Sequence, residues 1–339
     1  MSTSARGSHT PSVTMRDVAE VAGVSVATVS HVVNDKPGAR IGEDARRRVQ
    51  EAVASLGYRP NALAKTLSQG TSRFIGLVAD QIATTPFAGQ IIHGAQDEAW
   101  KHGYVLLVAN TDGNDEAEAE AIAMMLEHQV HGVLYSTWYH REVVVPEALH
   151  ATDTVLVGCF AAEGGLPAVV PDEEQGGRTA TEELLAAGHR RIAFINTTTP
   201  SPAQTGRLAG YRSALEGAGV EFDDALVFPA SPEQGGGYAT TPRIVASGAT
   251  AVFCHNDRVA MGLYDGLREQ GLRIPEDVAV IGFDNQDVIA AHLRPPLSTV
   301  ALPHYELGAA GVRILLGIDA DTGSEPRLIV CPPILRQSV

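Results

Sequence analysis

Beyond Phe74, apolar residues fall in short, nearly continuous runs: 74-FIGLVAD, 104-YVLLVAN, 132-GVLYST, 155-VLVGCF, 192-IAFINT, 251-AVFCH and 278-VAVIGFD. Stretches of helical period lie between several of them, at 87–102, 116–129, 173–187 and 258–270. Apolar strands that alternate with amphipathic helices predict parallel sheets covered on both faces. There are too many strands for one small sheet, so two lobes are expected. A cleft should lie between them at the C-terminal ends of the strands, where open α/β sheets bind ligands.

The first seventy residues read differently. Residues 1–12 are Ser/Thr-rich and are expected to form a disordered tail. Three short helices follow, at 15–22, 26–33 and 44–56, with Val18, Ala22, Val29, Val49 and Ala52 at core spacing. Gly23-Val24 is a tight turn, Ser25 is a capping residue, Lys36-Pro37-Gly38 is a loop and Gly57 ends the third helix.

Charge separates the same two parts. The 339-residue chain carries a formal −15. Residues 1–70 nevertheless hold nine Lys/Arg against six Asp/Glu, while residues 71–339 hold sixteen against thirty-four. A basic head on an acidic body marks the head as the polyanion contact. The three cysteines, Cys159, Cys254 and Cys331, are widely spaced with no CxxC, which argues against a disulfide scaffold or a cysteine zinc site. No apolar run approaches the length of a membrane span, and the polar N-terminus does not resemble a signal peptide. A cytoplasmic protein is expected.

Helices 15–22 and 26–33 would meet at Gly23 as a helix-turn-helix. The outer face of the second helix would then carry Ser25, Val26, Ala27, Thr28, Ser30, His31 and Asn34, with no acid among them. Hydroxyls there reach phosphates, and methyls meet thymine methyls in a major groove. Thr14-x-x-Asp17-Val18-Ala19-x-x-Ala22-Gly23-Val24-Ser25, followed by Thr28-Val29-Ser30-x-Val32-x-Asn34, resembles the head of the lactose-repressor (LacI) family of bacterial transcription regulators. Gly57-Tyr58-Arg59-Pro60-Asn61 fits it too, and the resemblance extends to about Leu335.

The resemblance implies an all-α helix-turn-helix head plus hinge helix, then an α/β two-lobed periplasmic-binding-protein-like effector domain with parallel sheets. The expected division is a head at 13–59, a hinge helix at 60–70 and an effector-binding and dimerisation domain at 71–339. In that domain the N-lobe would comprise 71–172 and 300–326, and the C-lobe 173–299 and 327–339. The family also implies a homodimer on a pseudo-palindromic double-stranded operator. The C-terminus follows the last strand without a heptad tail, favouring a dimer over a tetramer.

Carried over position by position, Thr14, Ser25, Thr28, Ser30, Asn34 and Asn61 would fix the head on the DNA backbone, and Tyr58 is a further DNA-binding candidate. Val26, Ala27 and His31 would read bases. His31 stands where arginine is common and lacks the bidentate fork that arginine offers guanine. Ala64, Lys65 and Leu67 would lie in the hinge helix, with Leu67 wedged into the minor groove.

The body shows no P-loop, HExxH or GxSxG, and Gly235-Gly236-Gly237 reads as a loop. Cys254 and His255 would point to opposite faces of a strand, which argues against a nucleophile–base pair. His128, His131 and His140 lack metal-ligand spacing. No enzyme activity, metal or cofactor is expected. Gly188-His189-Arg190-Arg191-Ile192, Arg207-Leu208-Ala209-Gly210-Tyr211, Asn256-Asp257 and Gly282-Phe283-Asp284-Asn285 resemble the family's sugar-sensing core.

Arg207, Asn256 and Asp284 suit a polyol. Phe87, Ser136 and Phe160 are further effector candidates, and Arg207–Asp284 is alternatively a structural ion pair. Cys159, Pro232 and Leu302 depart from the family pattern at pocket positions, and Trp138-Tyr139 offers aromatics nearby. The effector is expected to be a sugar or a nucleoside. Helix 87–102, around Ala95-Gln96, is expected at the dimer interface. Alternatives are a sugar-binding module without a regulatory role, and an activator or corepressor-dependent regulator.

Overall fold

The computed structural model describes residues 13–34, 41–58, 72–83, 85, 88–162, 165–320, 323 and 325–339. The expected tail, the loop at Lys36-Pro37-Gly38 and the hinge helix, with Asn61, Ala64, Lys65 and Leu67, lie outside them, as does Phe87. Two compact units divide between Ser72 and Arg73.

The first unit contains α1 (Met15–Ala22), α2 (Val26–Val33) and α3 (Glu43–Leu56). Thr14 starts α1 with a reciprocal capping box. Its hydroxyl meets Asp17 N at 3.4 Å, and the Asp17 carboxylate accepts the Thr14 N–H at 2.7 Å. Gly23 ends α1 at φ 64°, a left-handed backbone that glycine adopts without a Cβ clash. Ser25 Oγ then caps α2 through Thr28 N at 3.1 Å. Val18, Ala22, Val29, Val32, Val49 and Ala52 close a small core between the three helices.

In the second unit, β1 (Phe74–Ala79), β2 (Val105–Asn110), β3 (Val133–Glu142), β4 (Thr154–Phe160), β5 (Ala168–Pro171) and β11 (Arg327–Ile329) form one parallel sheet in the order β11-β5-β4-β3-β1-β2. The other sheet has the order β12-β10-β9-β8-β6-β7. It is built from β6 (Ile192–Thr197), β7 (Val227–Ala230), β8 (Ala251–Cys254), β9 (Ala279–Asp284), β10 (Ser298–Ala301) and β12 (Pro333–Ile334). Among the described residues, only β12 runs antiparallel to its neighbour.

The chain therefore passes between lobes after β5, β10 and β11. The expected boundaries at 300 and 327 each move a few residues onward. Strand β10 stays in the C-lobe to Ala301, and Arg327–Ile329 pairs with β5 in the N-lobe.

The helices that cover the sheets are α4 (Gly89–Lys101), α5 (Asp115–Glu127), α6 (Glu173–Ala186), α7 (Pro202–Gly217), α8 (Gln234–Ser247), α9 (Asp257–Glu269) and α10 (His304–Leu315). Ile75, Leu77, Leu134, Val157 and Leu307 fill the N-lobe core. The C-lobe core includes Phe194 stacked on Phe253 at 4.5 Å between ring centroids.

One expectation fails here because of close packing. Gly235-Gly236-Gly237 is not a loop but part of the first turn of α8. A Cβ at Gly237 would stand 1.9 Å from the Val259 carbonyl oxygen of α9, and one at Gly236 2.1 Å from Ser231 O, so these two glycines permit close backbone contact. Likewise, α4 packs on α10 within one chain, and a Cβ on Gly308 would meet Ile91 O at 2.0 Å. Ala95 is fully buried in that packing, and Gln96 Oε1 accepts the Leu106 N–H at 3.1 Å. Ala95 is thus packed inside the chain, while Gln96 is half-buried and His93 and Trp100 of the same helix are exposed.

Candidate functional site

Helix α2 presents the face that its sequence implies. Ser25, Val26 and Ala27 are exposed at its N-terminal end, while Thr28, Ser30, His31 and Asn34 are half-buried. The Thr14, Ser25 and Thr28 hydroxyls already serve the helix ends, with Ser25 Oγ and Thr28 Oγ1 at 2.9 Å. Asn34 closes α2, its amide donating to Ser30 Oγ at 3.4 Å. Tyr58, expected among the DNA contacts, is only 7% exposed and packs in the three-helix core. Burial also raises its hydroxyl pKa.

In the second unit, a cleft of about 280 Å³ opens between the two sheets at their strand C-termini. Its N-lobe wall carries Trp138, Tyr139 and His140, which lie within β3, and its C-lobe wall carries Arg207, Asn256 and Asp284. The wall is mostly apolar, with Ile91, Leu302 and Leu307 beside the aromatic residues.

Arg207 is almost completely buried. Its Nε donates to Glu173 Oε2 at 2.8 Å, Nη1 donates to the His255 carbonyl and lies 3.7 Å from Asp284 Oδ1, and the guanidinium stacks 3.6 Å above the Phe283 ring. Glu173 comes from the first turn of α6, just after the chain enters the C-lobe. Its other oxygen is 3.5 Å from His140 Nδ1 of the N-lobe. Glu173 thus links the lobes through one carboxylate. Sequence reasoning missed it, because an acid in the first turn of a helix usually signals only a favourable dipole contact.

The two cleft carboxyls respond in opposite ways. Burial would raise the Glu173 carboxyl, but the Arg207 charge, the nearby His140 imidazole and the Arg207 hydrogen bond outweigh it and hold the group at about 2. Asp284 is pushed up to about 6, because burial outweighs the more distant Arg207 and a hydrogen bond from Gln286 Nε2 at 2.9 Å. Burial also lowers His304 to about 4 and, with Arg207 nearby, holds His255 well below its ordinary value. Asp284 and Asn285 both have left-handed backbones, with φ 98° and 54°, a strain that is common at ligand sites.

Asn256 lines the cleft but is also the cap of α9. Its Oδ1 accepts from Val259 N and its Nδ2 donates to Pro232 O, both at 2.9 Å. Two other expected effector contacts are corrected. Ser136 is 1% exposed, and its hydroxyl donates to Val157 O at 2.7 Å across the sheet. Phe160 does not line the cleft; it packs edge-on behind His140, with ring centroids 5.7 Å apart. Cys254 is buried in the C-lobe core while His255 lines the cleft, so the two adjacent residues do face apart. Among the described residues, no helix is long and apolar enough to cross a membrane.

Comparison with known proteins agrees with both units. Residues 14–61 match the family model for bacterial regulatory proteins of the lacI family, and residues 181–339 match that for a periplasmic binding protein-like domain. The HTH-type transcriptional repressor PurR of Vibrio atlanticus (strain LGP32) is 34% identical over 327 residues, covering 94% of this chain and 96% of the relative. The ribose operon repressor of Haemophilus influenzae is 31% identical over 331 residues, covering 96% and 98%. The solved lac repressor dimer bound to operator and the anti-inducer ONPF superposes with a TM-score of 0.79 at 26% identity, covering 97% of this chain and 99% of that one. The helix-turn-helix head, the two-lobed α/β body and these relatives agree: the chain belongs to the lacI family of bacterial regulatory proteins, DNA-binding transcription regulators whose operator affinity a small-molecule effector controls.

Proposed function

We propose that this regulator is a homodimeric repressor, that the cleft between the lobes of its body is the effector site, and that the effector is a neutral molecule combining a polyol with a flat ring, such as a nucleoside. The observation that carries the reading is the division of the cleft. One wall offers Trp138 and Tyr139, whose rings lie 4.8 Å apart, and the other offers Arg207, Asn256 and Asp284. Aromatic faces receive a flat apolar ring, and the polar wall hydrogen-bonds hydroxyls. Glu173 pairs with Arg207, and Arg258, the other arginine lining the cleft, lies 3.5 Å from Glu233, which disfavours an anionic ligand. The ribose operon repressor among the relatives supports a sugar component.

On the head, Val26, Ala27 and His31 read base edges, while Thr14, Ser25, Thr28, Ser30 and Asn34 fix it to phosphates. In the body, the edge strand β2 leaves Val105 and Val108 exposed. We assign dimerisation to this edge together with helix α4 beside it, whose Gln96 bonds Leu106 N of β2. The chain acts by binding rather than catalysis: the Cys254 thiol is buried and held well above its ordinary pKa, so it is a poor nucleophile.

Fluorescence anisotropy with DNA from upstream of the protein's own gene, across a salt series and with sugars and nucleosides added singly, tests this function. Tight, steeply salt-dependent binding to a palindromic fragment, shifted by one ring-bearing polyol, is expected. Equal weak binding to that fragment and a scrambled one would sink operator recognition there. A shift caused only by an anionic ligand would sink the effector class.

A further inference from the structure

The aromatic wall of the cleft does not arise from regular strand pairing. Strand β3 pairs with β4 from Val133 with Thr154 to Ser136 with Val157, then resumes at Arg141 with Cys159. Between these points, residues 137–140 of β3 stand opposite Gly158 alone. Such a bulge removes ladder hydrogen bonds and re-aims side chains. Here the excess residues include Trp138, Tyr139 and His140, all of which line the cleft.

A bulge that loses its ladder needs other partners. One carboxylate supplies them at both ends. Asp80, immediately after β1 and 9% exposed, accepts Trp138 N–H on Oδ1 at 2.9 Å and Arg141 Nη2 on Oδ2 at 3.0 Å. It also accepts the Gln81 N–H at 2.6 Å. The Arg141 guanidinium lies 5.2 Å from the centroid of the Tyr139 ring, whose edge meets Trp138. Thr137 Oγ1 closes the loop onto Tyr139 O at 2.8 Å.

We propose that Asp80 and Arg141 are positioning residues that clamp the β3 bulge, set the Trp138–Tyr139 wall and so bias the cleft toward ring-bearing ligands. The bias toward ligands rests on the reading of this cleft as the effector site; the clamp itself does not. Asp80 and Arg141 act through the bulge. Breaking the clamp loosens the aromatic wall and leaves the Arg207–Asp284 wall in place.

The chain has two tryptophans, Trp100 and Trp138. Trp100 is 62% exposed on α4, so Trp100→Phe leaves Trp138 as the sole reporter. In that full-length background, acrylamide quenching and emission are measured without ligand for Asp80→Ala, Asp80→Asn, Arg141→Ala and the Asp80→Ala/Arg141→Ala double variant. Circular dichroism and operator binding control for folding. Asp80→Ala should raise the quenching constant about two-fold and Arg141→Ala by less, and the double variant should match Asp80→Ala, as expected for groups in one network. Asp80→Asn keeps an acceptor for Trp138 N–H and should fall between wild type and Asp80→Ala; with Arg141→Ala it carries the test if Asp80→Ala does not fold.

Unchanged quenching in folded variants, or fully additive effects, would overturn the clamp. Calorimetry with adenosine and with D-ribose then tests the bias. Asp80→Ala should weaken adenosine about ten-fold and leave ribose unchanged, while equal losses for both would overturn the bias. If neither compound binds wild type, the nucleoside reading and the bias built on it both fail, and the quenching series still decides the clamp.

Discussion

Glu173→Gln is the most informative single perturbation. The wild-type carboxylate and Arg207 are both about 95% buried and meet at 2.8 Å. The ordinary carboxyl value of 4.5 falls to about 2 in the folded chain. At roughly 1.36 kcal/mol per unit, that fall corresponds to about 3 kcal/mol of stability. Breaking a buried pair by removing one partner costs about 3–5 kcal/mol, because the other charge is left behind. Glutamine keeps an oxygen toward Arg207, and Asp284 stands 3.7 Å away to take part of the charge, so a loss of about 3 kcal/mol is expected.

For a unit of this size the loss lowers the melting temperature by about 6–12 °C. The sign with pH follows from the direction of the shift. Glu173 is depressed, so its contribution is present above its ordinary value and fades as pH falls toward about 2. Melting curves of wild type and variant should therefore stay apart from pH 7 to 5 and converge as pH drops below the ordinary carboxyl range. Replacing both partners, as Glu173→Leu with Arg207→Met, should cost less than Glu173→Gln alone. A Glu173→Gln loss under about 1 kcal/mol, as in an exposed pair, would refute the reasoning.

Other expected outcomes concern each unit separately. Ser25→Ala removes the α2 cap and should cost the head about 0.5–2 kcal/mol in thermal unfolding followed by circular dichroism. His31→Ala should weaken operator binding by about 1–3 kcal/mol while leaving the salt slope unchanged; a shallower slope would instead make His31 a phosphate contact. Asp284 is raised to about 6, chiefly by burial, so its ionisation opposes folding above that pH and not in acid. Asp284→Asn should therefore be more stable than wild type at pH 7.5, by at most about 3 kcal/mol, with the gap closing near pH 4. A gap that does not change with pH would rule that account out. Trp138→Ala should abolish the effector response in the anisotropy assay, whereas Ser136→Ala, whose hydroxyl is spent on Val157 O, should retain it.

Much of the fold was legible because it is written in short-range signals. Apolar runs located β1 to β4, β6, β8 and β9 but not the shorter β5, β7, β10, β11 and β12, while Gly23 and Ser25 announced the end of α1 and the start of α2 by their chemistry. The errors share a physical origin: they concern groups whose role depends on a distant partner. Three consecutive glycines look like a loop until α9 arrives within backbone contact of α8. Ser136 and Phe160 look available until the neighbouring strand and His140 consume them. Glu173 and Asp80 were missed for the same reason, since their partners lie 34 and up to 61 residues away. Arg207 and Asp284 were found at the cleft, but the strongest bond of Arg207 goes to Glu173.

That pairing constrains how the regulator can respond. An effector changes operator affinity only by its differential affinity for two states of the body, about 1–3 kcal/mol of coupling per site. The partners of Arg207, namely Glu173, His255 O and Asp284, all belong to the C-lobe, so a hydroxyl bound at that wall gains the same contact in either state of the body. The differential must then come from groups whose environment depends on how the lobes meet. His140 and Glu173 qualify, being 3.5 Å apart across the two lobes, and so does the aromatic wall that faces Asp284. A ligand that fills the space between the walls stabilises the arrangement in which His140 reaches Glu173. Removing the imidazole with His140→Ala should therefore reduce the effector's shift of operator affinity more than it reduces effector binding. Equal losses in both measurements would make His140 a plain ligand contact and remove the interlobe pair from the switch.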